Sequence, residues 1–182
     1  MVAATASKRP KAMGSWSADL TTRSGARLHV RPGQISDTAL LAELFAHVSA
    51  ADRRFRFMGT IKKLSESQLR TLLDPDKGMT TYIAFAQDGR PVACCTLAVD
   101  AEGQSAEVTL SVRSDWKGRG VSWTLLEHVL ACAAARGLRR IDSFESADDR
   151  EAINLQREMG FVARLHSAEP MEIQMSKFVE PR

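Results

Sequence analysis

The sequence predicts a mixed α/β domain in which a mostly antiparallel sheet of about seven strands is flanked by about four helices. Three observations lead to this prediction. The chain has 182 residues, which is the length of one domain. Its composition, 44% hydrophobic and 26% charged, is that of an ordinary globular protein. Segments of helical and of alternating periodicity follow one another in an order that requires helices on both faces of a sheet.

The first segments are a short strand and two helices. Residues 28–32 alternate and then meet Pro and Gly, which predicts a strand. Ser36 or Asp37 can cap a helix with apolar residues between 40 and 48 at helical spacing. A second helix follows Ser65, which stands three residues before Gln68 in capping-box spacing, and it stops at Asp74-Pro75.

The middle of the chain changes to strand periodicity. Residues 80–86 and 91–99 flank an Asp88-Gly89 turn, and a third strand, 105–113, completes an antiparallel meander. A strongly periodic helix spans 121–136 and ends before a glycine that suits a helix C-terminus. The remaining predicted elements are a strand, a helix and two closing strands, at 138–144, 148–159, 161–165 and 171–175.

Positive charge is concentrated at the N-terminus. Residues 1–31 hold six Lys or Arg against Asp19, which gives +5, so the other 151 residues sum to −2. A nucleic-acid reader needs its positive patch on the folded body, and therefore the sequence argues against DNA or RNA binding. Residues 1–26 are small, polar and aperiodic. They are predicted to form a flexible basic tail, with a single domain over 27–182.

Composition also narrows the cellular setting. No uncharged apolar run approaches the length of a membrane span, and the N-terminus lacks the apolar stretch of a secretory signal. The three cysteines, Cys94, Cys95 and Cys132, form neither a disulfide framework nor a zinc spacing, and the four histidines lack ligand spacing. We therefore expect a cytoplasmic protein with no membrane partner and no metal. The oligomeric state is left open, a homodimer included.

A candidate anion site lies between the meander and the long helix. The sequence Trp116-Lys117-Gly118-Arg119-Gly120-Val121-Ser122 combines two glycines, two cations and the first turn of a helix. Glycines allow close approach of a ligand to the backbone, and the free N–H groups of a helix start attract anions. The loop therefore suits a pyrophosphate. A plain strand-to-helix connection, with glycines for geometry alone, explains the same residues.

Glu107 is the candidate catalytic group. Alternation in its strand places Glu107 on one face with Thr109, Ser111 and Arg113, and the apolar residues on the other. The carboxylate then lies on a polar face that leads toward the loop. A solvated sheet face carrying a Glu and an Arg is the alternative interpretation.

Over residues 27–177 the chain resembles the GNAT N-acetyltransferase superfamily, most specifically between 106 and 161. The loop is similar to that family's acyl-CoA motif, Gln/Arg-x-x-Gly-x-Gly/Ala, with Lys117, Gly120 and Ser122 at the three defined positions. Only the central glycine matches exactly in type. The resemblance implies the GNAT fold and acetyl-CoA as co-substrate. Its pyrophosphate would lie on the main chain of Lys117, Gly118, Arg119, Gly120, Val121 and Ser122, and its pantetheine on Leu110, Ser111 and Val112.

A narrower resemblance is to the acetyltransferase domain of Pat-type bacterial protein-lysine acetyltransferases. It rests on four segments: Arg53 to Phe57 followed by Leu64-Ser65, Ala106-Glu107, Asp115 to Gly120, and Ala135 to Arg140. It implies that Glu107 is the general base and that the acceptor amine belongs to a protein lysine. A small-molecule amine acetyltransferase and a catalytically weak acyl-CoA-binding or regulatory module remain alternatives.

Two further positions carry alternatives. Many GNAT members have a proton-donating Tyr in the last helix, but the aligned residue here is Gln156, and Asp149 replaces a usual Asn. Either solvent protonates the leaving thiolate or turnover is compromised. The only tyrosine, Tyr82, is predicted to pack in the core.

The cationic and aromatic segment 53–57 could contact an acceptor protein or form a solvated turn anchored by its phenylalanines.

Overall fold

The computed structural model describes residues 16–57, 59 and 63–180, which form an eight-stranded sheet with helices on both faces. The prediction of a mixed α/β fold with about seven strands and four helices is confirmed within one element of each kind. The strands are β1 (Ala18–Thr21), β2 (Arg27–Pro32), β3 (Met79–Phe85), β4 (Pro91–Val99), β5 (Ser105–Val112), β6 (Arg140–Ser146), β7 (Val162–Ala168) and β8 (Met171–Phe178).

The sheet order is β1-β2-β3-β4-β5-β6-β8-β7. Every neighbouring pair is antiparallel except β5 and β6, which run parallel and are joined by a crossover. The antiparallel ladders are long: β4 and β5 pair over seven residues, from Ala93 opposite Val112 to Val99 opposite Ala106. The β5–β6 ladder has only three pairs. This short ladder positions the candidate site described below.

Two hydrophobic clusters cover the two faces of the sheet. Alternation in β3 divides its side chains, because Tyr82 and Ala84 belong to one cluster while Ile83 and Phe85 belong to the other. The helices are α1 (Thr38–Ala46), α2 (Ala50–Arg56), α3 (Glu66–Leu72), α4 (Val121–Ala135) and α5 (Arg150–Glu158). Helix α4 packs with the first cluster, and α1 and α3 with the second. Within the described residues, no helix has the length and apolarity to cross a membrane.

The predicted N-terminal tail is shorter than expected. Residues 18–21, placed in the tail by the sequence, form β1 and pair with β2 from Ala18 opposite Val30 to Thr21 opposite Arg27. Trp16, for which the sequence offers no role, packs against the core cluster. The prediction missed this strand because four residues with one large apolar side chain, Leu20, carry almost no periodic signal. Residues 1–15 of the predicted tail lie outside the described residues.

Residues 53–56 are helical and Phe57 is the C-cap, so the interpretation of segment 53–57 as a solvated turn is wrong for all but its last residue. Helix α2 starts at the N-cap Ser49, whose side chain accepts a hydrogen bond from the main-chain N–H of Asp52. No residue of α2 is fully buried, which is why its apolar residues show no helical period. By contrast, the predicted Ser65–Gln68 capping box of α3 is confirmed.

A partly buried ion pair fixes the chain where β2 ends. The Arg31 guanidinium donates two hydrogen bonds to the Asp37 carboxylate, at 2.7 and 2.8 Å, and the Gln34 N–H donates a third at 2.8 Å. Arg31 also lies over the Phe85 ring at 4.8 Å. The hydrogen bond from Arg31 is the main cause that holds the pKa of Asp37 below its usual value. Asp37 therefore stabilises the fold as a carboxylate.

We expect Asp37→Asn to lower the free energy of unfolding by about 1–2 kcal/mol at neutral pH. Because the pKa is lowered in the folded state, this contribution is present above the unfolded pKa of about 3.9 and is lost as pH falls through the folded value. Urea unfolding at pH 7 and pH 3 measures it. Asp76→Asn, at an exposed site, serves as the control. A difference between wild type and Asp37→Asn that is the same at both pH values would contradict this account.

Candidate active site

Strands β5 and β6 separate after three paired residues. Their ladder joins Ser105 to Arg140, Ala106 to Ile141 and Glu107 to Asp142, and then stops. Beyond Glu107, β5 is paired only with β4, so the main-chain groups on its other side have no sheet partner. Unpaired main-chain groups at the centre of a sheet are costly unless water or a ligand satisfies them. The gap between the two strands is therefore a natural place for an extended ligand.

A cavity of about 230 Å³ fills this gap. Its walls come from four places: the separated parts of β5 and β6, helix α2, the loop before α4 with the first turns of that helix, and one side of α5 together with its N-cap. The lining residues are Asp52, Phe55, Arg56, Val108, Thr109, Leu110, Ser111, Val112, Lys117, Gly118, Ser122, Leu126, Phe144, Glu145, Asp149, Glu151, Ala152, Leu155 and Gln156.

The loop before α4 presents unpaired main-chain donors. Gly118 and Gly120 have φ of +71° and +73°, a conformation that other residues rarely adopt. Among the described residues, no main-chain or side-chain acceptor binds the N–H groups of residues 118–123, and Thr124 is the first whose N–H is bonded, to Gly120. A Cβ on Gly118 would meet nothing within 4 Å, whereas one on Gly120 would contact Thr22 and Arg23. The open side of the loop is therefore at Gly118.

The two cationic side chains of the loop, Lys117 and Arg119, both interact with other residues of the protein. The Lys117 ammonium lies 2.8 Å from Asp52 on α2 and 3.6 Å from Glu151 on α5, so it joins two walls of the cavity. Burial alone would lower the pKa of Lys117, but the hydrogen bond and charge of Asp52 outweigh it and the pKa is raised. Arg119 stacks on the Trp116 ring at 4.8 Å, and its carbonyl accepts a 2.7 Å hydrogen bond from Ser24.

Glu107 is exposed and occupies the last paired position before the strands separate. It does not line the cavity described above. The alternative interpretation, a solvated face along this strand, is wrong beyond Glu107, because Ser111 and Arg113 are each only 5% exposed. Arg113 is ion-paired with Asp115 and Glu43 at 3.0 and 3.3 Å. Helix α2 packs against β5 and contributes to covering it.

Arg56 of α2 is a cavity-lining cation with an orphaned nitrogen. Its Nε is buried and has no hydrogen-bond partner in the described part of the chain, and the same is true of the Ser111 hydroxyl. Burial lowers the pKa of Arg56, and nearby negative groups, Glu107 and Glu145 among them, oppose this effect. Arginine remains cationic in proteins. The α2 wall therefore places a positive charge close to the candidate base.

A buried hydrogen-bond chain forms the opposite wall. The Ser143 hydroxyl donates to Gln156 Oε1, and Gln156 Nε2 donates to Glu145 Oε1, each at 2.5 Å. Burial raises the pKa of Glu145, although the hydrogen bond from Gln156 partly offsets the effect. Gln156 stands where the family's tyrosine is expected. The structure thus joins it to a carboxyl group that the sequence did not single out.

The structure also shows the surroundings of the other residues that the sequence analysis considered for a functional role. Tyr82 is fully buried, which confirms the prediction that it packs in the core. Burial raises the pKa of Cys94 to about 12, as expected for a small core residue and not for a nucleophile. Asp149 caps α5 by accepting from the Ala152 N–H. Across 16–57, 59 and 63–180, no three His, Cys, Asp or Glu residues come together as a metal site.

The structure brings together many of the residues proposed from sequence. Leu110, Ser111 and Val112 line the cavity with Lys117, Gly118 and Ser122. The side chains of Arg119 and Val121 lie elsewhere, with Val121 in the core and Gly120 at the start of α4. Sequence reasoning missed the lining residues of α2 and β6, notably Arg56 and Glu145. The available signal for Glu145 was its position at the carboxyl end of a strand that a helical crossover makes parallel to β5.

Comparison with known proteins agrees with this geometry. The model of the acetyltransferase (GNAT) family matches residues 45–161. The chain is 29% identical over 144 residues to acetyltransferase PA5475 of Pseudomonas aeruginosa, covering 77% of each.

Two solved structures extend the comparison. The GNAT domain of S. lividans PAT superposes with a TM-score of 0.82 at 25% identity, covering 90% of this chain and 97% of that one. Spermidine N-acetyltransferase from Vibrio cholerae, in complex with CoA and spermine, gives a TM-score of 0.69 at 18% identity, covering 83% and 95%. Because the family model spans well over half of the 182 residues and the fold agrees, this chain belongs to the GNAT family of acetyltransferases.

Proposed function

We propose that this acetyltransferase moves the acetyl group of acetyl-CoA directly to an amine within a ternary complex, and that the amine is a protein lysine. The observation that carries the proposal is the early end of the β5–β6 ladder beside a loop of unpaired N–H groups. Both border the same cavity, so together they offer main-chain donors and acceptors to one ligand. Such an arrangement suits an extended ligand with a diphosphate at one end.

The loop and β5 would hold the cofactor. The N–H groups from Gly118 to Ser122 are available to the pyrophosphate, helped by the positive end of α4. The unpaired side of Leu110 to Val112 is available to pantetheine and to the acetyl carbonyl. Lys117 stabilises the site indirectly. Its ion pairs with Asp52 and Glu151 hold α2 and α5 against the loop.

Glu107 would accept the proton of the amine. A lysine side chain has a pKa of about 10.4 and is almost entirely protonated at neutral pH, so it cannot attack a thioester until a proton is removed. Glu107 is exposed, makes no hydrogen bond or ion pair within the described residues, and stands where the strands begin to separate. It can receive the proton directly or through a water molecule.

The charge of the cavity supports a cationic acceptor. Besides Glu145, its lining holds three carboxylic acids, Asp52, Asp149 and Glu151, against the cations Arg56 and Lys117. A negative lining attracts an ammonium group and concentrates it at the site. The residue-level resemblance to Pat-type domains favours a lysine of a protein. The similarity of fold to an enzyme bound to spermine favours a small polyamine as the second candidate.

Acceptor choice is tested with acetyl-CoA and two amines: a peptide with one internal lysine, and spermidine. We expect CoA thiol release with the peptide to exceed release with spermidine, and no release with a control peptide in which that lysine is already acetylated. Thiol detection and mass spectrometry of the peptide measure the outcome. Turnover of spermidine alone would replace the protein acceptor with the small amine, and binding of acetyl-CoA without either reaction would contradict both.

The cofactor loop is tested at Ser122, which lines the cavity in the first turn of α4. Ser122→Glu places a negative charge beside the proposed pyrophosphate, and we expect acetyl-CoA affinity to fall about 10-fold or more. Ser122→Gln has the same length without the charge and is the matched control. Acid residues favour helix N-termini, so the change should not unfold the protein. Equal affinities of the two variants in calorimetry would argue against a diphosphate at this loop.

The base is tested with Glu107→Gln, which removes the proton acceptor but keeps the shape of the side chain. We expect kcat on the active acceptor to fall about 10²- to 10⁴-fold, with acetyl-CoA affinity unchanged. Glu102→Gln, in the exposed turn before β5, is the control and should retain wild-type kcat. A Glu107→Gln enzyme with undiminished kcat would assign proton removal to another group.

A further inference from the structure

Glu145 is held in one orientation by a buried hydrogen-bond chain. Ser143 and Gln156 are 1% and 5% exposed, and their side chains bond to each other and then to Glu145 Oε1. The Ser143 hydroxyl donates to the Gln156 amide oxygen, so the amide nitrogen must face Glu145. No described residue hydrogen-bonds to Glu145 Oε2. One carboxyl oxygen is thus fixed, while the other is free beside the cavity that the residue lines.

The charged surroundings of Glu145 come from three elements. Arg56 on α2 favours its ionised form, while Asp149 at the start of α5 disfavours it. Asp52 on α2, Lys117 in the loop and Glu151 on α5 complete the ionisable lining of the cavity. Burial is the largest influence and raises the pKa of Glu145 above that of an ordinary glutamic acid. The group therefore keeps its proton to a higher pH than an ordinary glutamic acid in water does.

The proposed reaction also needs a proton donor for the CoA sulfur, and no residue has yet been assigned to that step. When the amine nitrogen bonds to the acetyl carbon, the C–S bond breaks and its electron pair stays on the CoA sulfur. That thiolate takes up a proton as the product leaves. Gln156 cannot supply one, because an amide does not act as an acid in this range.

We propose that Glu145 is the catalytic residue that protonates the departing CoA sulfur, since it lines the cavity in the gap between β5 and β6 and one of its carboxyl oxygens is fixed by Gln156. The inference rests on the proposed function, because it assumes that the thioester lies in this gap. In the balanced step, Glu107 takes one proton from the ammonium group before attack, the nitrogen loses its second proton to water as the amide forms, and Glu145 gives its carboxyl proton to sulfur. Proton exchange with water then resets both carboxyl groups.

The test uses CoA itself, whose thiolate absorbs in the ultraviolet, bound to the full-length protein. In the wild type, once Glu145 has given up its proton, its negative charge next to sulfur opposes formation of the thiolate, because like charges disfavour one another. Glu145→Gln replaces that charge with an amide donor. We expect the pKa of the bound thiol to fall by about one unit or more in this variant. Glu145→Asp retains a carboxyl group and should give a bound-thiol pKa nearer the wild-type value.

The matched control is Glu158→Gln, an exposed residue of α5 outside the cavity lining, which should leave the pKa of the bound thiol unchanged. Thermal unfolding verifies that each variant is folded. Equal thiol pKa values in wild type and Glu145→Gln, with CoA bound to both, would overturn the assignment of Glu145. Failure of the wild type to bind CoA would instead contradict the proposed function, so the two ideas fail in different ways.

Discussion

The site depends on one constraint, which is that β5 and β6 pair over only three residues although the strands have eight and seven. Both strands are tied down on their outer sides, β5 by seven pairs with β4 and β6 by seven pairs with β8. Neither can turn to satisfy the groups that face the gap. The main-chain N–H and C=O groups there must form hydrogen bonds with water or with a ligand. The parallel crossover through α4 places the N-terminus of that helix at one end of the gap.

Charge then divides the cavity into regions with different chemistry. The unpaired N–H groups of the loop favour an anion, while the carboxyl groups on α2 and α5 favour a cationic amine. The two proposed proton-transfer groups differ in environment: Glu107 is exposed, whereas Glu145 is half-buried and its pKa is raised. Two carboxyl groups with different surroundings can serve as base and acid at the same pH.

Sequence reasoning succeeded where the signal is local and long. Helix α4 was recognised because its apolar residues recur at helical spacing over four turns, and the loop because glycines and cations stand next to the start of that helix. It failed at β1, which has four residues, and at α2, which buries none of its side chains completely. Glu145 and Arg56 were missed for another reason. Their roles arise from where the β5–β6 ladder ends and from which helix covers the gap, and these are contacts between distant parts of the chain.

The most direct measurement is amide hydrogen exchange, residue by residue, with and without acetyl-CoA. In the free protein the amides of 118–123 should exchange quickly, because none has an acceptor within the described structure. With acetyl-CoA bound, protection should appear at 118–122 and at the unpaired side of 110–112, while amides already bonded to β4 change little. Protection confined to other parts of the sheet, or none at all with the ligand bound, would contradict the claim that this gap and loop form the cofactor site.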